Sequence, residues 1–353
     1  MKINTIQIEN FRNLKSVSFK PNPVLNFIVG NNGAGKTSIL ESIVVLSRGR
    51  SFRTSQASEL VGPFKPTFSV FTETQSDDGQ CDRLGLERSG KHWKARKNGQ
   101  DLAQISQLTR SLPLVLMEPN SHLLVNGTPD VRRRFLDWGV FHVEQEFLEV
   151  WRRFSKTLRQ RNAALRQGQI DVIESIDELI SPLGSRLSQL REAYSKSISK
   201  ETQSIVSDLS AGLSDITLKY QNGWGSGPYR EALSKWRERD LKRGATSQGP
   251  HRADLVLMKG NTLARAVLSR GEQKILSSAL LLAQAAFLKL QGESPILLLD
   301  DLTSEFDRLH CKKVLAKFLE TNGQVWITGT REPEYSGPCS VFHVEHGTVR
   351  EMI

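Results

Sequence analysis

Cysteine is scarce. Cys81, Cys311 and Cys339 are the only three in 353 residues, odd in number and far apart. No C-x-x-C pair occurs, which excludes a zinc ribbon and a disulfide framework and fits a reducing cytoplasm. Long apolar runs are lacking too. The most apolar stretch, Ile275 to Leu290, is interrupted by Ser277, Ser278, Gln284 and Lys289, so it reads as a buried helix and not as a membrane span. The opening residues, Met1-Lys2-Ile3-Asn4-Thr5, lack the apolar segment of a secretory signal. No internal repeat or low-complexity tract interrupts the chain. Acidic residues are in the minority: 48 Lys+Arg face 38 Asp+Glu, for a net charge of +10 and a pI near 9.6. What remains is the expectation of a soluble, intracellular protein of about two domains, without a membrane partner. The basic excess points to a polyanion, most simply nucleic acid.

What is present begins with Gly30-Asn31-Asn32-Gly33-Ala34-Gly35-Lys36-Thr37-Ser38. It follows an apolar strand-like run, Leu25 to Val29, and opens a helical pattern through Ile39, Leu40, Ile43 and Val44. Gly30 to Thr37 fits G-x-x-x-x-G-K-[ST], the phosphate-binding P-loop. Glycines let successive backbone N–H groups turn inward onto phosphate, and the following helix adds its positive end. Lys36 reaches the β- and γ-phosphates and Thr37 is a Mg²⁺ ligand. The expected cofactors are therefore ATP and Mg²⁺. Much later, Pro295-Ile296-Leu297-Leu298-Leu299-Asp300-Asp301 is a buried strand ending in two acids. In such a Walker B strand Asp300 holds Mg²⁺ through water and Asp301 orients the attacking water.

The rest of the chain divides by pattern. Residues 2–29 alternate like a hairpin followed by a strand. Residues 67–98 read as strands with a turn at Asp77-Asp78-Gly79 and a basic cluster around Trp93, best read as a solvated hairpin edge. Leu112 to Met117 is a further strand. Thr128 and Pro129 mark the start of a helix. From about 130 to 245 the periodicity is helical, with breaks expected at Gly168, at Ser181-Pro182-Leu183-Gly184 and at Asn222 to Pro228. Over 131–166 nine Lys/Arg face four Asp/Glu, and Arg132, Arg133, Arg134, Arg152 and Arg153 are the candidate DNA contacts, with structural salt bridges as the equal alternative for some of them. Strand-like patterns return at Leu255–Met258 and Ala264–Leu268. The P-loop and the acidic pair lie about 265 residues apart, more than a compact nucleotide-binding domain needs. The economical arrangement is an α/β P-loop head built from residues 1–129 and 246–353, with a mostly helical arm at 130–245.

Short motifs carry a family resemblance. Ser269-Arg270-Gly271-Glu272-Gln273 is similar to the signature motif of ABC-type ATPases, and Asp300-Asp301 with Ser304-Glu305-Phe306-Asp307 looks like their Walker B and D-loop. Asn10-Phe11-Arg12-Asn13, Ser51-Phe52-Arg53, Gly127-Thr128-Pro129 before Arg132-Arg133, and Gly249-Pro250-His251-Arg252-Ala253-Asp254 narrow it. Together they resemble the RecF family of bacterial recombination-repair ATPases, related to SMC proteins. The resemblance implies an ABC-type head whose ATP is sandwiched between two copies. The P-loop and Arg12 of one copy bind the nucleotide, and Ser269, with Arg270 to Gln273, caps it in trans. It implies a cytoplasmic, nucleoid-associated homodimer with slow ATP hydrolysis. It further implies binding to single-stranded or gapped duplex DNA, RecO and RecR partners, and RecA loading. Arg12 alone would read as a turn residue. Arg270 replaces the usual Gly of ABC transporters, Thr328 stands where a switch His is expected, and Asn120 stands where an acid is. A transporter or translation-associated ABC subunit predicts the Gly-Gly pair and the His. A small-molecule kinase leaves Ser269–Gln273 and Asp301–Asp307 unexplained.

Overall fold

The computed structural model describes residues 1–331 and 334–352. The chain falls into two compact units: residues 1–121 with the chain from 281 onward, and residues 122–280. The second boundary lies later than the 245/246 division expected from the sequence. The strand Ile216–Gln221, in a stretch read as wholly helical, pairs antiparallel with Asp254–Lys259 along its whole length. That pairing keeps the residues after 246 with the middle of the chain.

The first unit is built on two six-stranded sheets. One is antiparallel and contains Leu14–Phe19, Lys2–Phe11, Thr67–Gln75, Cys81–Ser89, His92–Lys97 and Gln100–Leu102, in that order. Thr67–Gln75 and Cys81–Ser89 alternate between buried and accessible residues, as strands with one wet face must. Trp93 packs edge-on against Phe68 and lies under the Arg88 guanidinium, so it belongs to this hairpin. The second sheet is parallel apart from its edge strand Thr348–Glu351. Leu25–Val29 lies between Val325–Gly329 and Ser340–Glu345. Ile296–Leu299 pairs with Val325–Gly329 on one side and Leu114–Met117 on the other. Leu25–Val29, Leu114–Met117, Ile296–Leu299 and Val325–Gly329 are buried at every residue, which is why they read as largely aliphatic runs. Apolar residues of both sheets and of the helix Lys36–Arg48, among them Ile8, Ile39, Ile43, Leu298 and Trp326, form one core. The side chain of Gln324 adds a clasp, accepting from the Ile3 N–H at 2.8 Å and donating to the Ile3 and Asn22 carbonyls at 2.9 and 2.8 Å.

The second unit packs the helices Pro129–Val143, Phe147–Gln167, Ile170–Leu209 and Tyr229–Arg243 with a small three-stranded sheet. Thr128 occupies the cap position and Pro129 the first turn, but the Thr128 hydroxyl makes no capping bond. Gly168 ends its helix as expected, at φ 66°. The break expected at Ser181–Gly184 is absent: Ile170–Leu209 runs through Pro182. A Cβ on Gly184 would meet the Tyr229 ring at 2.4 Å, so this glycine admits a neighbouring aromatic and does not end the helix. Ala264–Val267 is a short helix where a strand was expected. The unit's interior holds charge. Arg161, fully buried, donates to Asp177 at 2.6 Å, to Asp240 at 2.8 Å and to the Thr246 hydroxyl at 2.9 Å. Arg191 clasps both Asp137 oxygens at 2.7 and 2.9 Å and the Pro250 carbonyl at 2.7 Å. No helix among the described residues is long and apolar enough to cross a membrane.

Candidate nucleotide-binding site

The central strand Leu25–Val29 delivers the chain into a loop that only glycine can open. Gly30 sits at φ 154°, and a Cβ there would meet the Val344 carbonyl oxygen at 2.3 Å. The loop closes through Ala34 N–H to Asn31 O at 3.2 Å and leads straight into the helix Lys36–Arg48. Lys36 folds back across the loop, donating from Nζ to the Gly30 and Asn31 carbonyls at 2.8 and 2.9 Å. Burial lowers the ammonium pKa, and the nearby Asp301 and Asp300 carboxylates oppose that shift. A cation held on two weak carbonyl acceptors at the mouth of a glycine loop is poised to exchange them for phosphate oxygens.

At the end of the strand Ile296–Leu299, Asp300 comes to Thr37. The Thr37 hydroxyl donates to Asp300 Oδ1 at 3.0 Å. A hydroxyl and a carboxylate side by side are hard oxygen donors that would suit Mg²⁺, the carboxylate through a water. Among the described residues no cluster of three or more His, Cys, Asp or Glu could hold a metal. A cation here would complete its shell from phosphate and water, the usual manner of Mg²⁺. Thr328, from the neighbouring strand, donates to the same Asp300 oxygen at 2.6 Å and accepts from the Asp301 N–H at 2.8 Å. It stands where a switch His was expected and ties the two acids together. Asp301 has left-handed backbone, φ 56°, and its carboxylate accepts from Ser304 Oγ at 2.8 Å. Burial chiefly raises the Asp300 pKa. A cavity of about 710 Å³ joins these groups to Asn32, Arg12 and Arg53. A depression of about 760 Å³ on the antiparallel sheet is lined instead by charges already paired, such as Glu73 with Arg83, and no comparable chemistry converges there.

Glu41 is the group that the sequence reading missed. Fully buried on the P-loop helix, it takes Arg12 in a two-pronged bond at 2.7 and 3.0 Å, Arg53 at 3.4 Å and the Ser51 hydroxyl at 2.5 Å. One carboxylate thus aims two arginines at the cavity. The Asn10–Asn13 and Ser51–Arg53 stretches, noticed only as words, are its partners. The signal was available: a lone Glu inside Ile39-Leu40-Glu41-Ser42-Ile43-Val44 must be paired once buried.

Glu118 follows the strand Leu114–Met117. Burial, with the Asp300 charge adding to it and Arg48 opposing, pushes its carboxyl up to about 7. The folded state therefore holds a proton that the unfolded chain releases near the ordinary 4.5. Stability of the nucleotide-free protein should fall as pH rises from about 4.5 to 7, by on the order of 2–3 kcal/mol, and then level. Glu118→Gln should remove that fall. Thermal melts at pH 5 and pH 8 check it, with the variant ahead of the wild type only at pH 8.

In the second unit Ser269 and Glu272 cap their helix reciprocally. The Ser269 N–H and hydroxyl donate to Glu272 at 2.9 and 2.8 Å, and the Glu272 N–H donates back to the hydroxyl at 3.3 Å. Ser269, Arg270 and Gly271 are exposed, whereas Gln273 is buried between the Leu268 carbonyl and Asn126. Of the candidate DNA contacts, Arg132 takes the structural alternative. Its guanidinium is buried and spent on both Asp254 oxygens and the Gly127 carbonyl. Arg133 is mostly buried against the Ala253 carbonyl and Asp130. Arg134 and Arg153 are exposed, in helical pairs with Asp130 and Glu149. Arg152 is exposed as well. Residue names alone do not separate a structural arginine from a free one.

Residues 2–348 match the RecF/RecN/SMC N terminal domain. A protein of Stenotrophomonas maltophilia described as DNA replication and repair protein RecF is 39% identical, with 99% of each chain covered. One of Xanthomonas euvesicatoria pv. vesicatoria, described in the same words, is 38% identical over 99% of this chain and 98% of its own. A solved structure of the recombination mediator protein RecF-ATP in the RecFOR pathway superposes with a TM-score of 0.90 at 28% identity, covering 100% of this chain and 98% of that one. An Smc head bound to the C-winged helix domain of ScpA shares the fold, with a TM-score of 0.62 at 16% identity over 100% and 97% of the two chains.

Proposed function

Because the chain belongs to the RecF family of DNA replication and repair proteins, we propose that it is an ATP-controlled DNA-binding protein of recombinational repair. The observation that carries this is the convergence of Lys36, Thr37, Asp300 and Thr328 at one cavity. Gly30 to Ser38 wrap the phosphates, Lys36 neutralises them, and Arg12 and Arg53 reach them from the side, both held by Glu41. Thr37 and Asp300 hold Mg²⁺, which supplies charge neutralisation at the phosphates. Asp301 orients a water for slow hydrolysis, serving as a switch. Known RecF structures contain ATP, in a pathway named for RecF, RecO and RecR, and the same ligand and mediator partners are proposed here.

Ser269 to Gln273 are proposed to cap the triphosphate bound by a second copy. The exposed Ser269 already opens a helix, whose N-terminal N–H groups suit an anion. ATP then joins two chains, and hydrolysis lets them part. Single-stranded or gapped duplex DNA is the proposed cargo of this dimer, with Arg134, Arg152 and Arg153 among its phosphate contacts and Arg132 withdrawn from them. The deciding experiment is sedimentation with and without ATP and gapped DNA. A chain that stays monomeric at saturating ATP with DNA present overturns the dimer reading.

Ser269→Arg refines the test. Losing the cap costs about 1 kcal/mol, so the fold persists. ATP binding by the monomer should equal wild type while ATP-dependent dimerisation is lost. Equal dimerisation in the variant would remove Ser269 from the interface.

A further inference from the structure

The helix Tyr229–Arg243 sorts its cations by face. Arg230 pairs with Glu178 at 2.7 Å, and Arg237 pairs with Glu174 and, at 3.6 Å, with Asp177. Those partners lie on the helix Ile170–Leu209, so this face is neutralised within the unit. Lys235, Arg239, Lys242 and Arg243 are exposed, and none makes an ion pair among the described residues. Lys235, Arg239 and Lys242 are spaced i, i+4, i+7 and share one stripe. The stripe is about 10 Å long, the rise of three nucleotides in a duplex strand. Glu231 and Glu238, the exposed acids beside it, are not within ion-pairing distance of any of them among the described residues.

Two further features set this stripe apart from an ordinary solvated face. The Arg239 guanidinium lies 4.8 Å over the Trp236 ring. Stacking holds the guanidinium flat and leaves its N–H edge free for an oxyanion. At the helix end Gly244 takes the left-handed cap, and a Cβ there would meet the Arg166 side chain at 2.8 Å. Arg166, exposed on the helix Phe147–Gln167, thereby brings a further cation from a second helix to the end of this one. The helix dipole accounts for Lys242 and Arg243 in the last turn. It does not account for Lys235 and Arg239 in the middle.

We propose that this stripe is a docking surface for the sugar-phosphate backbone of nucleic acid, separate from the Arg132–Arg134 segment. The inference rests on the reading of the protein as a DNA binder and adds where the strand is held. Recognition is by charge alone, so it tracks a backbone without reading sequence.

The test uses the full chain with ATP and a fluorescein-labelled random 30-mer, as duplex and as single strand. Affinity is measured by anisotropy from 50 to 200 mM NaCl. The combined variant Lys235→Gln, Arg239→Gln, Lys242→Gln, Arg243→Gln should lower the log–log salt slope on duplex by about 2 to 4 units. It should also weaken binding at 100 mM salt at least tenfold. Nucleotide binding should hold and the melting temperature should fall by a few degrees at most, since the removed groups have no ion-pair partner among the described residues and give up only the helix-dipole and stacking contributions. Lys235→Arg with Lys242→Arg keeps the charge and should keep the slope. The strand form whose slope falls further is the one docked here. A wild type that binds DNA and a Gln variant with the same slope would overturn this inference alone. A wild type that binds neither form would overturn the DNA reading and this inference with it.

Discussion

Lys36→Met is expected to abolish ATP binding, with Kd raised at least 100-fold in titrations with a fluorescent ATP analogue. Met nearly matches the lysine stem in volume and helix propensity, so the Lys36–Arg48 helix loses little. What disappears is the ammonium, which spans the loop from Gly30 O to Asn31 O and faces Asp300 and Asp301. Those two acids would then face a triphosphate of like sign, with only Arg12 and Arg53 to offset it, and both arginines are already shared with Glu41. A charge-assisted bond lost from a half-buried anion site is worth about 3 kcal/mol, which is the 100-fold. A variant binding ATP within threefold of wild type would remove Lys36 from the site.

Asp240→Ala is expected to unfold the second unit at temperatures where the wild type is folded. Asp240 is fully buried; one oxygen holds Arg161 and the other takes the Ser247 N–H and hydroxyl at 2.9 and 2.6 Å. Removing it leaves Arg161, which has no access to water, with Asp177 as its only carboxylate among the described residues. Breaking a buried pair from one side costs about 3–5 kcal/mol, a large share of a domain's stability. Truncating Glu146, whose pair with Arg186 is half exposed on both sides, should change stability by less than about 1 kcal/mol. Differential scanning calorimetry of the two variants compares them directly, and equal melting temperatures would contradict the assignment of Arg161 as a structural centre.

The parallel sheet was legible because its strands are buried on both faces and therefore spelled in aliphatic runs, as at Ile296–Leu299. The P-loop was legible because a phosphate cradle admits few residue types. The strand Ile216–Gln221 was not. Thr217, Lys219 and Gln221 give it a polar alternation that a helical neighbourhood hides, and its partner, Asp254–Lys259, is more than thirty residues away. Pro182 misled for the opposite reason: tertiary packing around Gly184 outweighs one missing N–H. Likewise Arg132, Arg133 and Arg134 are identical letters with three different environments. Which of them meets solvent depends on Asp254 and Ala253, more than a hundred residues downstream. In the sequence Thr328 is conspicuous only as the absence of a switch histidine. Its role as the bridge between Asp300 and Asp301 follows from parallel pairing that no local pattern encodes.

The strand that feeds the phosphate loop, Leu25–Val29, has both of its hydrogen-bonded neighbours in residues 325–345. As the chain leaves the ribosome, this strand emerges early and waits, unpaired, for almost all of the remaining translation. Its aliphatic edges are exposed meanwhile, a situation that favours nascent-chain misassociation and slow, long-range closure. A chain cut short before residue 325 would lack both neighbours of this strand, leaving the phosphate loop without the sheet that holds it.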